Sequence, residues 1–417
     1  MPRYLEAIRH MPAARRTRSA LAAGAAAAAL ALSQGGAPGA AAPRPLTTAP
    51  PILSAAAAGT AYVANEASGT ISVIDTATNT ITGTICLGSD PAIPGTPQPN
   101  GPCNAETQHH SPFYNGQADP HGLWLTPDGS VLLVANRLSS TVVAIDTATN
   151  SVLGYAPVGR EPHLATVRPG GREAWVAVRG ESYVDLFKLD KYQLFDPQRR
   201  RTDRMKKTAT IDTARGPSMV SFTSDGLFAF VAAGKEARVD KIDASTRQVV
   251  ASQTVVAPFT PFGLVTPDDQ ELYLVHKAAG KLSIVRTSDL SPIVEGLPIG
   301  PRANHVYFVG NLAYITIGGP APSATSPDPE GKIVVVDRAT HAIVNELTGP
   351  AFTGEPHGIW ATPDGRLYVG HERGNRVTVI ATGDPNNPFD DTVVGTVTGS
   401  EGDLAALKKP IDIVVRP

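Results

Sequence analysis

The feature that most constrains this sequence is a short turn motif that returns at regular intervals. Residues 127–129 (Pro-Asp-Gly) end an apolar run and place proline and glycine where a type I turn favours them. Related turns follow at 168–171, 223–226, 266–269, 309–311 and 362–365. The spacing is about 42 residues, with two longer intervals that indicate inserts. Such repeats must associate with one another, because one unit alone cannot bury its own apolar face.

Residues 119–159 show what one unit contains. Four short apolar stretches, Leu123–Thr126, Val131–Ala135, Thr141–Ile145 and Val152–Val158, are separated by turns rich in Pro, Asp, Asn and Gly. Four short strands in about 40 residues are typical of one propeller blade. Seven units of this kind align between residues 60 and 417. The sequence therefore predicts an all-β fold, a seven-bladed β-propeller with four-stranded blades.

The first unit lacks its first strand. Its remaining three strands are expected at Ala61–Asn65, Thr70–Asp75 and Thr80–Leu87. The segment Lys409–Val415 begins with the same X-Pro step as the first strands of the other units. We therefore expect this C-terminal segment to pair with Ala61–Asn65 and close the ring, which also removes two open sheet edges.

Two segments of the first blade resemble a known repeat. Residues 62–65 (YVAN) and 71–80 (ISVIDTATNT) are similar to the YVTN-type β-propeller repeat. The similarity is strong in blades 1, 2 and 7, fainter elsewhere, and extends over residues 60–417. Propellers of that family are mostly cell-surface or periplasmic modules without assigned catalysis. The resemblance therefore implies a binding module for a protein, peptide or small-molecule ligand; we also expect a monomer.

The N-terminal residues are expected to direct export and not to belong to the fold. Arg15, Arg16 and Arg18 precede the weakly apolar run Ala20–Leu32, as in a twin-arginine signal. We assign residues 1–42 to this signal and residues 43–59 to a Pro/Ala linker. We expect a periplasmic, cell-surface or secreted protein whose mature chain has no membrane span.

Charge and cysteine content narrow the functional classes further. The formal net charge is −2, which argues against a dedicated nucleic-acid-binding protein. The chain has two cysteines, Cys86 and Cys103, and an even pair in an exported chain favours a disulfide. A disulfide between these two residues would close the loop that joins them and stabilise the fold by roughly 3 kcal/mol. Two free thiols remain the alternative.

Most of the histidines are expected on one face of the propeller. Adjacent strands are antiparallel, so the start of each first strand and the end of each second strand lie on the same face, which we call the upper face. The residues after the X-Pro step are His121, His163, Ser218, Phe262, Asn304 (with His305 beside it), His357 and Ile411. His276 and His371 end second strands, and His109 and His110 lie in the loop before blade 2. Only His341, apart from the histidine in the signal, is expected on the opposite face.

Three interpretations of these histidines remain open. The candidate ligand-binding residues at the channel mouth are His121, His163, His305, His357, Asp119, Glu161 and Glu355. Imidazoles that converge on a channel suit copper or zinc, and the candidate metal ligands are His121, His163, His357, His109 and His110. A metal-dependent oxidase, lactonase or lyase is thus the alternative function. The histidines could instead bond between blades as part of the repeat, or one could act catalytically without a metal.

Overall fold

The computed structural model describes residues 59–87, 118–384, 386–399 and 407–416. These residues form seven four-stranded antiparallel sheets, so the protein is a seven-bladed β-propeller as predicted. Helix is confined to α1 (Lys191–Leu194) and to short 3-10 turns at Arg201–Asp203 and Pro350–Phe352 in the part of the chain just defined.

Each blade runs from an innermost strand at the channel to an outermost strand at the rim. Blade 1 consists of β28 (Pro410–Arg416), β1 (Thr60–Asn65), β2 (Thr70–Asp75) and β3 (Thr80–Cys86). Blade 2 consists of β4 (Pro120–Leu125), β5 (Val131–Asn136), β6 (Thr141–Asp146) and β7 (Ser151–Pro157). Blade 3 consists of β8 (Pro162–Val167), β9 (Glu173–Val178), β10 (Tyr183–Lys188) and β11 (Lys206–Asp212). Blade 4 consists of β12 (Pro217–Phe222), β13 (Phe228–Ala233), β14 (Arg238–Asp243) and β15 (Gln248–Thr254).

The remaining three blades follow the same order. Blade 5 consists of β16 (Phe262–Val265), β17 (Glu271–His276), β18 (Lys281–Arg286) and β19 (Pro292–Pro298). Blade 6 consists of β20 (Ala303–Val309), β21 (Leu312–Ile317), β22 (Lys332–Asp337) and β23 (Ile343–Leu347). Blade 7 consists of β24 (Pro356–Ala361), β25 (Arg366–His371), β26 (Arg376–Ala381) and β27 (Thr392–Thr398).

The last strand closes the ring, as the X-Pro step predicted. β28 pairs antiparallel with β1, with Ala61 opposite Val415 and Val63 opposite Ile413. Blade 1 therefore joins the two ends of the described chain in one sheet, and β1 keeps no open edge.

The apolar core lies between neighbouring blades. One cluster joins Val131 of blade 2 to Val176 of blade 3, and another joins Trp175 of blade 3 to Val231 of blade 4. Tyrosine hydroxyls link blades on the lower face, where Tyr62 donates to the Thr147 carbonyl at 3.3 Å. Each blade therefore relies on its neighbours for burial, which fixes the ring as a unit.

Several sequence predictions lie outside the described residues. These are the export signal, the linker except for Gly59, and the loop that contains Cys103, His109 and His110. Cys86 ends β3 and is buried, but its pairing with Cys103 stays a prediction. Within the described chain, no helix has the length and apolar character needed to span a membrane.

Candidate ligand site at the channel mouth

Two residues from each blade form a collar around the upper mouth of the channel. The first residue of each pair lies just before the inner strand, directly before it in six blades and three residues before it in blade 5. The second residue directly follows the second strand. The pairs are Lys409/Glu66, Asp119/Arg137, Glu161/Arg179, Gly216/Gly234, Phe259/Lys277, Arg302/Gly318 and Glu355/Glu372, in blades 1 to 7. In every pair the N–H of the second residue donates to the carbonyl of the first, at 2.5–3.1 Å. The backbone thus holds all seven pairs in equivalent places.

The first collar residue has a left-handed backbone in all seven blades. Its φ ranges from 52° at Glu161 to 73° at Gly216. Only blade 4 uses glycine there, although any other residue pays roughly 1–2 kcal/mol for this conformation. Unfavourable backbone conformations that persist are typical of binding and catalytic sites. The collar is therefore a candidate site on backbone grounds alone.

The collar is rich in charge of both signs. Five of its residues are basic (Arg137, Arg179, Lys277, Arg302 and Lys409) and five are acidic (Glu66, Asp119, Glu161, Glu355 and Glu372). Eight of these ten are joined in one chain of ion pairs that runs from Asp119 through Arg137, Glu66, Lys409, Glu372, Lys277 and Glu355 to Arg302. The two that are not joined, Glu161 and Arg179, both belong to blade 3.

Buried charges hold this network together. Glu355 has a fully buried side chain and pairs with Lys277 at 3.5 Å, with Arg373 at 3.2 Å and with Arg302. Arg137 bridges Asp119 at 3.2 Å and Glu66 at 3.3 Å. Burial lowers the pKa of Lys277 to about 8, although the nearby carboxylate of Glu372 opposes this change. Burial, reinforced by the charge of Glu66, raises the pKa of Asp119 above its usual range.

Arg179 differs from the other basic residues of the collar. No ion pair or side-chain hydrogen bond joins its guanidinium to any residue in the described ranges, and its contact is with the ring of Phe259, 5.3 Å from the ring centroid. Burial lowers the pKa of Arg179, and the exposed carboxylate of Glu161 acts in the opposite direction. Arg179 is therefore a half-buried cation whose hydrogen-bond donors have no partner among the residues that the structure describes.

Below the collar, four histidines lie side by side in the channel. The ring centroids of His163 and His121 are 4.2 Å apart, those of His121 and His357 are 6.2 Å apart, and those of His357 and His305 are 4.9 Å apart. All four are buried. The sequence analysis thus identified residues that meet in space, although they come from blades 3, 2, 7 and 6.

β-bulges occur at all four of these histidines and at Ile411, the equivalent residue of blade 1. In blade 2, Pro120 lies opposite Asn136 and Gly122 opposite Ala135, so His121 has no partner in the ladder. His163 and Ile411 are extra residues of the same kind in their own blades. A bulge turns a side chain away from its regular direction, and bulges are frequent next to functional sites.

The buried imidazoles are held neutral. Burial is the main reason that the pKa values of His121 and His163 lie well below the usual value, and for His163 the charge of Arg179 adds to it. Burial also lowers the pKa of His305 to about 3. The Nδ1 of His163 lies 2.8 Å from the Ser218 carbonyl; in the neutral ring Nδ1 must be the donor, which leaves Nε2 as an acceptor.

A buried carboxyl group completes the channel floor. Asp412 Oδ1 lies 3.6 Å from His305 Nδ1, and both carboxyl oxygens accept backbone N–H groups, from Leu123 and Ile413. Burial raises the pKa of Asp412 to about 7, and these hydrogen bonds oppose the rise. Phe262 stacks on His305 with a centroid distance of 4.1 Å, so the floor combines imidazole, carboxyl and aromatic groups.

The other described histidines have structural partners. His276 contacts Thr260 Oγ1 at 2.7 Å and Ser283 Oγ at 2.8 Å. His371 contacts the Thr353 carbonyl and Thr378 Oγ1, both at 2.9 Å. His341 pairs with Glu271 at 2.9 Å, at the ends of strands that lie on the lower face. These three histidines thus form hydrogen bonds or ion pairs inside the protein, which is the structural role that one of the three interpretations gives to histidines.

The alignment on the X-Pro step is wrong for blade 5. The carbonyl of Phe259, not of Thr260, accepts the collar hydrogen bond, and Phe262 lies opposite Val275 in the register that Gly122 occupies in blade 2. Pro261 is therefore the equivalent of His121, because the proline of blade 5 lies two residues after the collar residue, whereas Pro120 of blade 2 lies directly after it. The sequence reasoning also missed the second collar residues, which the antiparallel strand order could have identified.

The described histidines by themselves do not place three ligands around one metal ion. Ligand nitrogens lie about 2.0–2.1 Å from a zinc ion, and among the described residues no group of three or more His, Cys, Asp or Glu side chains is placed to hold one. His163 also uses one nitrogen for the Ser218 carbonyl. His109 and His110, the other proposed ligands, lie outside the described residues.

The comparisons with known proteins support the fold and give no function for this chain. No protein-family model matches the sequence, and no curated protein matches it. The chain is similar to a solved protein of unknown function from Desulfotomaculum acetoxidans, with 12% identity, a TM-score of 0.60, and coverage of 86% of this chain and 98% of that one.

Two further solved structures have named activities. A candidate 6-phosphogluconolactonase from Bacteroides fragilis is 14% identical, with a TM-score of 0.57 and coverage of 88% of this chain and 100% of that one. Hydrazine synthase from Kuenenia stuttgartiensis is 18% identical, with a TM-score of 0.53 and coverage of 67% and 80%. Likenesses at this level of identity concern the fold, because one propeller fold supports many functions.

Proposed function

We propose that this protein is an exported binding module of the YVTN propeller type. In this proposal the upper mouth receives an anionic group of its ligand, a carboxylate or a phosphate, against Arg179. The propeller fold supports a binding role in general. The resemblance of residues 62–65 and 71–80 supports the repeat type, and Arg15 and Arg16 support export.

The unused guanidinium of Arg179 is the observation that supports this proposal. Eight collar charges are already compensated, whereas Arg179 meets no carboxylate within ion-pair distance in the described chain. A guanidinium has five N–H donors in a fixed planar arrangement that suits a carboxylate or phosphate in a two-point contact. Its contact with Phe259 orients the group without occupying these donors.

Blade 4, which follows blade 3 in the ring, contributes no side chain to the collar. Both collar residues of blade 4 are glycine, Gly216 and Gly234. The side chain of Lys235 lies beside Gly216, with Cγ 2.7 Å from where a Cβ would be, and the residue is exposed. Lys235 thus places a positive charge beside the collar of blade 4, the neighbour of blade 3 in the ring, which favours an anion over a neutral group.

Isothermal titration of the mature protein with inorganic phosphate and with succinate, at constant ionic strength and pH 7, tests the proposal. We expect saturable binding of one of them, and the stronger ligand decides between phosphate and carboxylate chemistry. Arg179→Gln should weaken it at least ten-fold. Arg215→Gln is the matched control, because Arg215 is exposed and already pairs with Glu236 at 2.8 Å. Equal binding by Arg179→Gln, or no saturable binding of either anion, would contradict the proposal.

A metal-dependent reaction at the histidines is the second candidate. The observation in its favour is the contact between His121, His163 and His357, whose neighbouring ring centroids lie 4.2 and 6.2 Å apart. Copper or zinc binding would require the rings to rotate, because the described side chains do not place three ligands around one point. Metal analysis of the purified protein tests this candidate. His121→Ala should lower bound metal far more than His341→Ala, and a metal-free protein after incubation with either ion eliminates it.

A further inference from the structure

A second cavity lies away from the channel mouth, between blades 2 and 3. Its volume is about 550 Å³, and its lining includes Ser140 of blade 2, Gly159 of the connection, and Tyr183, Asp185 and Lys207 of blade 3. Small-molecule pockets have volumes of about 300–1,000 Å³. The cavity is therefore large enough for a small organic ligand.

Asp185 is the unusual group in this cavity. It is fully buried, and its Oδ1 accepts a hydrogen bond from Thr210 Oγ1 at 2.9 Å and pairs with Lys207 Nζ at 2.5 Å. Its Oδ2 is buried and has no hydrogen-bond partner among the described residues. A buried polar atom without a partner costs roughly 1–3 kcal/mol, so this oxygen favours any donor that reaches it.

Blade 4 provides an internal comparison. Asp240 occupies the same register as Asp185, since the two lie opposite Val231 and Val176 in their respective second strands. Asp240 Oδ2 accepts the N–H of Ala214 at 2.8 Å, from the connection between blades 3 and 4. The Oδ2 atom at this position thus accepts a hydrogen bond in blade 4, whereas in blade 3 it has no partner among the described residues.

The difference lies in the connection before the blade. Gly159 stands two residues before the collar residue of blade 3, as Ala214 does in blade 4. The hydroxyl of Tyr183 packs against Gly159, where it would be 2.3 Å from an added Cβ. Gly159 and Asp185 both line the cavity, which therefore lies where blade 4 has a hydrogen bond.

A second polar atom in the same lining has no partner. Ser140 is 1% exposed, and its Oγ is buried without a hydrogen-bond partner in the described part of the chain. Ser140 and Asp185, from neighbouring blades, thus line one cavity, and each has a buried polar atom without a partner among the described residues. At the rim, Arg160 pairs with Glu181 at 2.7 Å.

The charge balance determines which ligand fits. Lys207 already compensates the charge of Asp185, so a cationic ligand would gain little, whereas Oδ2 can still accept from a neutral hydroxyl. Ser140 can donate or accept, and Lys207 and Arg160 can donate to further hydroxyl oxygens. The Tyr183 ring offers an apolar face for C–H groups. We propose that this cavity binds a neutral polyhydroxylated molecule such as a sugar or a cyclic polyol.

Saturation-transfer NMR and titration of the full chain with glucose and with myo-inositol test the proposal. We expect saturable binding of at least one probe, weakened ten-fold or more by Asp185→Asn, which turns Oδ2 from an acceptor into a donor. Ser140→Ala, a smaller change, should weaken binding several-fold. Asp240→Asn is the matched control: it disturbs the same position in blade 4 but should leave binding of the probe unchanged.

Three results would overturn the proposal. The first is an absence of saturable binding of both probes to the wild-type protein. The second is equal binding by Asp185→Asn in a variant that still melts cooperatively. The third is stronger binding of a cationic probe, such as putrescine, than of the polyols. Arg179→Gln should not alter polyol binding, so failure at the mouth and failure at this cavity are distinguishable.

Discussion

Removal of strand β28 should unfold the propeller as a whole and not only blade 1. Ile411, Ile413, Val414 and Val415 are between 0% and 4% exposed. Burial of each such side chain contributes about 1.5–3 kcal/mol, so the four together contribute roughly 6–12 kcal/mol. This is comparable to the total stability of a typical domain, about 5–15 kcal/mol. The loss also exposes β1 as an open edge.

Deletion of residues 409–417 tests this estimate. Thermal melting by circular dichroism and size-exclusion chromatography should show loss of the cooperative transition and aggregation. A synthetic peptide of residues 407–417 should restore part of the transition, because it supplies the missing strand in trans. If the truncated protein keeps its melting temperature and solubility, β28 is dispensable and the argument is wrong.

A point substitution gives the same test in a chain that still folds. Ile413→Ala removes a fully buried side chain and should cost about 2–5 kcal/mol in urea unfolding. Val250→Ala is the control, since Val250 is 53% exposed on an outer strand and should change stability by less than about 0.5 kcal/mol. Similar losses for both would contradict the assignment of β28 as a core strand.

Three further predictions concern titration and covalent state. Burial lowers the pKa of His276 to about 4, and the pKa values of His305 and His371 to about 3. As the pH falls below about 6.5, the unfolded chain therefore binds protons before the folded one, so the free energy of unfolding should rise between about pH 4 and pH 6.5. In urea unfolding across this range, His276→Gln should show a smaller change of that free energy with pH. A flat profile contradicts this. Glu372→Gln should lower the pKa of Lys277 further below about 8 in an NMR titration, since Glu372 is the main charge that opposes its desolvation, and an unchanged pKa would refute that role. Mature protein alkylated under denaturing conditions without reductant should have no reactive thiol, and two labelled cysteines would exclude the Cys86–Cys103 disulfide.

The fold could be predicted from the sequence because local signals and global order agree. The Pro-Asp-Gly turns fix where strands end, and the strand boundaries follow closely: β5, expected at Val131–Ala135, extends over Val131–Asn136. The X-Pro step of β28 identified ring closure without any structural information. In blade 5 the same signal misled the alignment, because Thr260 occupies the place that Pro120 has in blade 2 and the proline stands one position later.

The site could be predicted only in part. Strand order placed His121, His163, His305 and His357 on one face, but the distances between them depend on the diameter and twist of the closed ring. The buried hydrogen bond from His163 to the carbonyl of Ser218 joins blades 3 and 4 and leaves no sequence signal. Arg179 was missed because nothing in its local sequence indicates that no described carboxylate pairs with it.

Ring closure by β28 also affects when the protein can fold. The partners Ala61 and Val415 are far apart in sequence, so blade 1 cannot be completed until β28 has been synthesised. At about 5–20 residues per second, the strands of blade 1 wait for tens of seconds beside an unpaired edge. Contacts of such long sequence separation also slow folding, because the loop they close must be ordered first. A chain built in this way therefore cannot close its ring until late in its synthesis, and β1 must be kept from pairing with other strands until β28 emerges.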